Sequence, residues 1–166
     1  MACRLSYTIY FLFIINLSAC SQNKIIIPEQ NTPVFVNSEV EHKAYFASGC
    51  FWCVEAIYES IIGVNNVVSG YSGGNIPNPT YEIVNTKITG HAETIEVSYD
   101  PKKINFSNLV DIYFASQDIE QINGQGPDNG PQYRSIIFYQ TEAQRDLINN
   151  KIRDLEKNKN LKVAAE

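Results

Sequence analysis

The segment Gly49-Cys50-Phe51-Trp52-Cys53-Val54-Glu55 places two thiols three residues apart. On a helix this spacing puts both sulfurs on one side, a single turn apart. A short apolar run, Ala44–Ala47, and the turn Ser48-Gly49 precede Cys50, so Cys50 falls at or next to a helix start. There, unpaired N–H groups and the helix dipole favour a thiolate over a thiol. A C-x-x-C pair can be half a zinc site, a redox pair or a structural disulfide. Zinc needs two further ligands, and the only histidines are His42 and His91. A disulfide closing so short a loop stabilises little, because its effect grows with loop length. A working redox pair is the better reading. Phe51 and Trp52, the only tryptophan, set apolar walls beside the sulfurs.

The elements that must position this pair are legible as patterns. Val54, Ile57, Tyr58 and Ile61 recur at helical spacing and predict a helix over Phe51–Ile62, stopped by Gly63. Val64–Tyr71 is β-branched and reads as a strand. Tyr81–Val84 reads as a helical turn. In Glu93–Tyr99 the residues Ile95, Val97 and Tyr99 alternate with Thr94, Glu96 and Ser98, the pattern of a half-buried strand. Phe106–Ser116 is an amphipathic helix, residues 117–133 a long polar loop and Arg134–Tyr139 a strand. Thr141 caps a last helix through about Lys157. This order is β-α-β-β-α-β plus a C-terminal helix, which predicts an α+β, ferredoxin-like split fold. A loop of that length inside a compact domain points to function. The 166 residues suit one domain, and 44% hydrophobic with 19% charged residues excludes a disordered acidic tail. A net charge of −5 without a Lys/Arg block argues against a nucleic-acid partner.

The N-terminus reads as an address. Arg4 is the only charge before Lys24, and Tyr7–Leu17 is an apolar run too short to span a bilayer comfortably. It closes with Leu17-Ser18-Ala19-Cys20, which resembles the lipobox of bacterial lipoproteins. The expectation is a signal peptide over residues 1–19, lipidation of Cys20, a tether over 20–42 and a folded domain over 43–166. The resemblance implies a bacterial cell-envelope location, anchored by lipid and facing the periplasm or the exterior.

Six blocks in order carry a second resemblance. Gly49-Cys50-Phe51-Trp52, Gly70-Tyr71-Ser72-Gly73-Gly74, Asn78-Pro79-Thr80-Tyr81, Gly90-His91-Ala92-Glu93, Tyr99-Asp100-Pro101 and the pair Gln125-Gly126-Pro127-Asp128 with Gln132-Tyr133-Arg134-Ser135 resemble the A-type peptide methionine sulfoxide reductases. The resemblance implies reduction of methionine S-sulfoxide, free or in proteins, with Cys50 as the nucleophile and Glu93 as the acid. It implies that Tyr81 and Tyr133 bond the sulfoxide oxygen, that Asp128 orders the site, and that Phe51 and Trp52 hold the methyl group. Cys53 would resolve the Cys50 sulfenic acid to a disulfide, which an external, thioredoxin-like dithiol reduces. No bound cofactor or metal is implied, and the chain is expected to act as a monomer. The chemistry suits these residue types. A sulfoxide oxygen leaves only when protonated, and an apolar enclosure raises a Glu toward the protonated form. Tyr hydroxyls donate to a developing negative oxygen.

Taken singly, several of these residues have plainer roles. A Glu opening a strand is usually solvated, Asp128 suits a turn, and His91 suits a structural bond to a carbonyl. Glu55 and Glu59 suit a solvated helix face, and Arg134 suits a carboxylate partner. The chain also departs from the family pattern. Many members have Gly where Cys53 stands and resolve with later cysteines; here no Cys follows Cys53. Ser116-Gln117-Asp118-Ile119-Glu120 replaces a usual His-Asp-Pro-Thr, and Pro131 a usual Thr. Family domains continue past Val163-Ala164-Ala165-Glu166, so a C-terminally truncated domain is expected. The rival functions are a non-catalytic lipoprotein and a thioredoxin-like thiol-disulfide oxidoreductase.

Overall fold

The computed structural model describes residues 42–166; the expected signal peptide, Cys20 and the tether as far as residue 41 lie outside them. The elements are β1 (His42–Ala47), α1 (Phe51–Glu59), β2 (Val64–Ser72), α2 (Tyr81–Asn85), β3 (Ala92–Tyr99) and α3 (Phe106–Ala115). After these come β4 (Gly124–Gln125), β5 (Asp128–Asn129), a 3-10 turn (Pro131–Tyr133), β6 (Ile136–Phe138) and α4 (Glu142–Lys159). The main sheet runs β2-β3-β1-β6, and each neighbouring pair is antiparallel. α1 joins β1 to β2, yet β3 lies between them. That is the split arrangement the element order predicts.

One face of the sheet carries the core. Phe46 on β1 and Ile95, Val97 and Tyr99 on β3 bury against Val54 and Tyr58 of α1 and Leu109, Val110 and Tyr113 of α3. The Phe46 ring lies 5.2 Å from Tyr58 and 5.6 Å from Tyr113. Each such side chain contributes roughly 1.5–3 kcal/mol by leaving water. The two buried phenols keep partners: Tyr58 donates to the Leu109 carbonyl at 3.0 Å and Tyr113 to the Ala47 carbonyl at 3.1 Å. The second bond pins the end of β1 just before the Cys50 turn.

Four expectations change. β3 is buried along both faces, not one: Thr94 and Ser98 are as enclosed as Ile95 and Val97. As a central strand it has neighbours on both edges, and Thr94 turns its hydroxyl back to the Ala92 carbonyl at 3.0 Å. α1 ends at Glu59, short of Ile62, because the chain must turn through Gly63 (φ +100°), whose carbonyl accepts from the Asp100 N–H at 2.8 Å. The polar stretch 117–133 is not bare loop: it holds the β4–β5 hairpin and the 3-10 turn. The last strand is trimmed to Ile136–Phe138, since Arg134 closes the 3-10 turn. Thr141 caps α4 as read, accepting from the Gln144 N–H. Among the described residues, no helix is long and apolar enough to cross a membrane.

Candidate active site

Cys50 is the N-cap of α1. Its carbonyl accepts from the N–H groups of Cys53 at 3.1 Å and Val54 at 3.2 Å, closing the first turn. The turn before it requires Gly49: φ is +88°, and a Cβ there would sit 2.6 Å from the Gln125 Cβ. Gln125 is itself locked, accepting from the Asp118 N–H and donating to the Asp118 carbonyl and the Gln117 side chain. The long loop therefore braces the cysteine turn from behind.

The Cys50 side chain does not cap the helix; Glu93 does. Its carboxyl accepts from the Phe51 N–H, one of the donors a helix start leaves unpaired, at 3.0 Å. Glu93 is only 2% exposed, so the reading of a solvated strand Glu fails. It points to the inward face of a strand closed on both sides. Burial pushes its pKa up, the Phe51 bond pulls the other way, and Asp128 adds a further rise. The site thus holds a carboxyl biased toward its protonated form beside a sulfur at a helix N-terminus.

Cys53 stands one turn on and is exposed. The adjacent Cys50 sulfur pushes its pKa up, with burial, a bond to Cys50 and Asp128 adding to the rise. Cys53 is thereby biased toward its protonated form. Both sulfurs and Asp128 line one groove of about 310 Å³, together with Ile57, Gln125 and Pro127. Asp128 reaches it from the β4–β5 hairpin, where it pairs with Gln125 across the Gly126-Pro127 turn.

The aromatic residues form a run of rings. Phe51 is buried, with its ring 5.2 Å from Trp52 and 5.5 Å from Tyr71. Trp52 is 59% exposed and stacks on Tyr81 at 5.7 Å. Burial raises the pKa of Tyr133, and Glu93 and Tyr81 raise it further. Its hydroxyl stays a donor close to the acid. Of the residues read from the sequence as catalytic or substrate-binding, Cys50, Cys53 and Asp128 line the groove, Glu93 joins them through the Phe51 N–H, Trp52 and Tyr81 extend the ring run from Phe51, and Tyr133 lies near Glu93. Two were missed, Tyr71 and Gln125. Both lie inside sequence blocks already singled out, but their partners are far along the chain.

The plainer roles sort themselves as well. His91 is structural: Nε2 donates to the Ile76 carbonyl at 2.9 Å, and Nδ1 accepts from the Gly74 N–H at 3.2 Å. Arg134 meets Glu166 at 3.5 Å, and also donates to the Pro131 and Gly90 carbonyls. Glu55 is not merely a solvated face; it accepts from the Ser69 hydroxyl at 2.5 Å and ties α1 to β2. Among the described residues, no group of three or more His, Cys, Asp or Glu is placed to hold a metal.

Comparison with known proteins agrees with this geometry. The chain is 48% identical over 117 residues to the peptide methionine sulfoxide reductase MsrA of Picrophilus torridus, covering 70% of this chain and 66% of that protein. It is 51% identical over 107 residues to MsrA 1 of Rhodopirellula baltica, covering 64% and 56%. The chain thus spans just under two thirds of the first relative's length and little more than half of the second's. The crystal structure of Mxr1 from Saccharomyces cerevisiae in reduced form matches with a TM-score of 0.68 at 31% identity, over 75% of this chain and 74% of that one. A sequence profile, that of peptide methionine sulfoxide reductase, matches residues 42–166, the whole of the described domain. With the Cys50–Glu93 centre inside that match, the chain belongs to the peptide methionine sulfoxide reductase family.

Proposed function

We propose that this chain reduces methionine S-sulfoxide, free or in proteins, to methionine, and so repairs oxidised proteins. The observation that carries the reading is the buried Glu93 carboxyl bonded to the first N–H of the helix that Cys50 opens. In this reading the Cys50 sulfur attacks the sulfoxide sulfur while Glu93 gives a proton to its oxygen. Tyr81 and Tyr133 donate to that oxygen, Asp128 orders the polar side, and Phe51 and Trp52 receive the methyl group. The oxygen ends on Cys50 as a sulfenic acid and methionine leaves. The Cys53 sulfur then attacks Cys50, water departs and a disulfide forms. An external, thioredoxin-like dithiol supplies two electrons and is itself oxidised to a disulfide. The exposure of Cys53 supports that exchange. The neighbour Mxr1 is known in complex with Trx2. All the residues invoked come from one chain, which supports a working monomer.

The test is methionine formation from the S-sulfoxide by the purified chain with dithiothreitol. Glu93 must be protonated to donate, so the rate falls as pH rises through its raised pKa. Glu93→Gln keeps the shape and loses the proton. Its rate should drop by roughly 10²–10⁴-fold, the usual worth of a general acid, and the alkaline limb assigned to Glu93 should vanish. A Gln variant with the wild-type profile would remove Glu93 from the mechanism.

We further propose that residues 1–19 are a lipoprotein signal peptide and that Cys20 carries the lipid. Residues 20–42 then tether the domain to a bacterial envelope membrane, facing the periplasm or the exterior. The Leu17-Ser18-Ala19-Cys20 ending supports this. Mass spectrometry of the processed protein should find a diacylglyceryl group on Cys20. A free Cys20 thiol in a processed, water-soluble protein would end the idea.

A further inference from the structure

We infer that Tyr71 is a positioning residue of the reaction: its ring walls Glu93 off from water and props Phe51, whose N–H holds the Glu93 carboxyl. This rests on the reading of Glu93 as the proton donor. Three independent contacts carry it. In the β2–β3 ladder Tyr71 lies directly opposite Glu93, so both side chains leave the same face as cross-strand neighbours. The Tyr71 ring lies 5.5 Å from the Phe51 ring, tilted by 44°. The Phe51 N–H closes the triangle on Glu93 at 3.0 Å. One strand pairing, one ring contact and one hydrogen bond thus join the three residues. An aliphatic residue at position 71 would fill the ladder without reaching Phe51 as a ring does.

The groups around Glu93 leave Tyr71 this passive but necessary part. Asp128 faces Glu93 from β5, Tyr71 from β2 and Tyr133 from the 3-10 turn, with Tyr81 of α2 beside the two tyrosines. Cys50 and Cys53 stand at the start of α1. None of these is a cation. Burial, and then the nearby Glu93 and Tyr81, push the Tyr71 hydroxyl up, so it stays neutral. The protonated state of Glu93 therefore depends on exclusion of water, and Tyr71 is its cross-strand cover. Without the ring, water reaches the carboxyl and stabilises its charged form.

The test uses the full chain with Tyr71→Leu and Tyr71→Phe, and two readouts. One is the pH titration of Glu93 followed by carboxyl ¹³C NMR. The other is the single-turnover burst of methionine as a function of pH. Tyr71→Leu should move both the titration midpoint and the alkaline limb down by about one pH unit, so the burst slows about tenfold on the alkaline side and little on the acid side. Tyr71→Phe keeps the ring and should leave both curves in place. If the Leu variant does not fold, Tyr71→Met, of similar volume and without a ring, carries the same comparison. An equal slowing at every pH with Glu93 titrating as in wild type would overturn the inference. So would a Phe variant that shifts like Leu, since the hydroxyl would then be the agent. A wild-type chain with no burst would strike the proposed function instead, and the Glu93 titration would still decide the role of Tyr71.

Discussion

Cys50→Ser should form no methionine, neither in a burst nor in turnover. The hydroxyl of Ser is a poor nucleophile unless a base activates it, and Glu93, whose carboxyl is bonded to the helix start, is biased toward its protonated form. The only other thiol among the described residues is Cys53. It cannot take over, because it sits a full turn along α1 from the helix start, and the Phe51 N–H that holds the Glu93 carboxyl lies at that start. Removing a nucleophile from an assembled site costs on the order of 10⁶-fold, which here means below detection. Rapid quench with the S-sulfoxide at enzyme concentrations above the detection limit is the measurement. A burst close to wild type in the Ser variant would mean that some other group attacks the sulfur.

Cys53→Ser should divide the reaction in two. Cys50 keeps its place, its helix and its acid, so one methionine forms per chain at nearly the wild-type rate. The sulfenic acid then finds no thiol one turn away, since among the described residues Cys53 is the only other cysteine. Turnover with a thioredoxin-type reductant should collapse to a few per cent or less of wild type, roughly two orders of magnitude. Dithiothreitol, small enough to reach the half-buried Cys50, should restore part of it by attacking the sulfenic acid directly. Burst amplitude followed by steady-state turnover with each reductant settles the matter. Full turnover with the thioredoxin system would show that Cys53 resolves nothing.

Much of this site is written in local sequence. Cys50 at a helix start, Thr141 as a cap and the order of strands and helices follow from spacing and end signals that act over three or four residues. What stays hidden is set by register. β2 carries a bulge between Val64 and Asn66, so the pairing with β3 shifts there by one residue. A one-residue slip turns every later side chain to the other face. Counting from the Gly63 turn without the bulge would set Tyr71 against Ala92 and leave Glu93 without its cover. Alternation sets Glu93 in phase with Ile95, Val97 and Tyr99; it reads as exposed only because a Glu opening a strand is usually solvated, and that rule does not see Tyr71 opposite it or the Phe51 N–H bonded to it. The β4–β5 hairpin has strands too short to show a period. Its presence is carried only by the Gly126-Pro127 turn and by how Gln125 fits against Gly49.

Trp52 is the sole tryptophan, lies between the two cysteines, and is stacked on Tyr81 with more than half of its surface open. The indole emission of the whole protein therefore originates at the reacting centre, free of background from anywhere else. Thiol, sulfenic acid and disulfide differ in how they quench a neighbouring indole, and a ligand's methyl group would displace water from the same ring. Stopped-flow fluorescence of the unlabelled chain can thus time each redox state as it forms, with the site as its own probe.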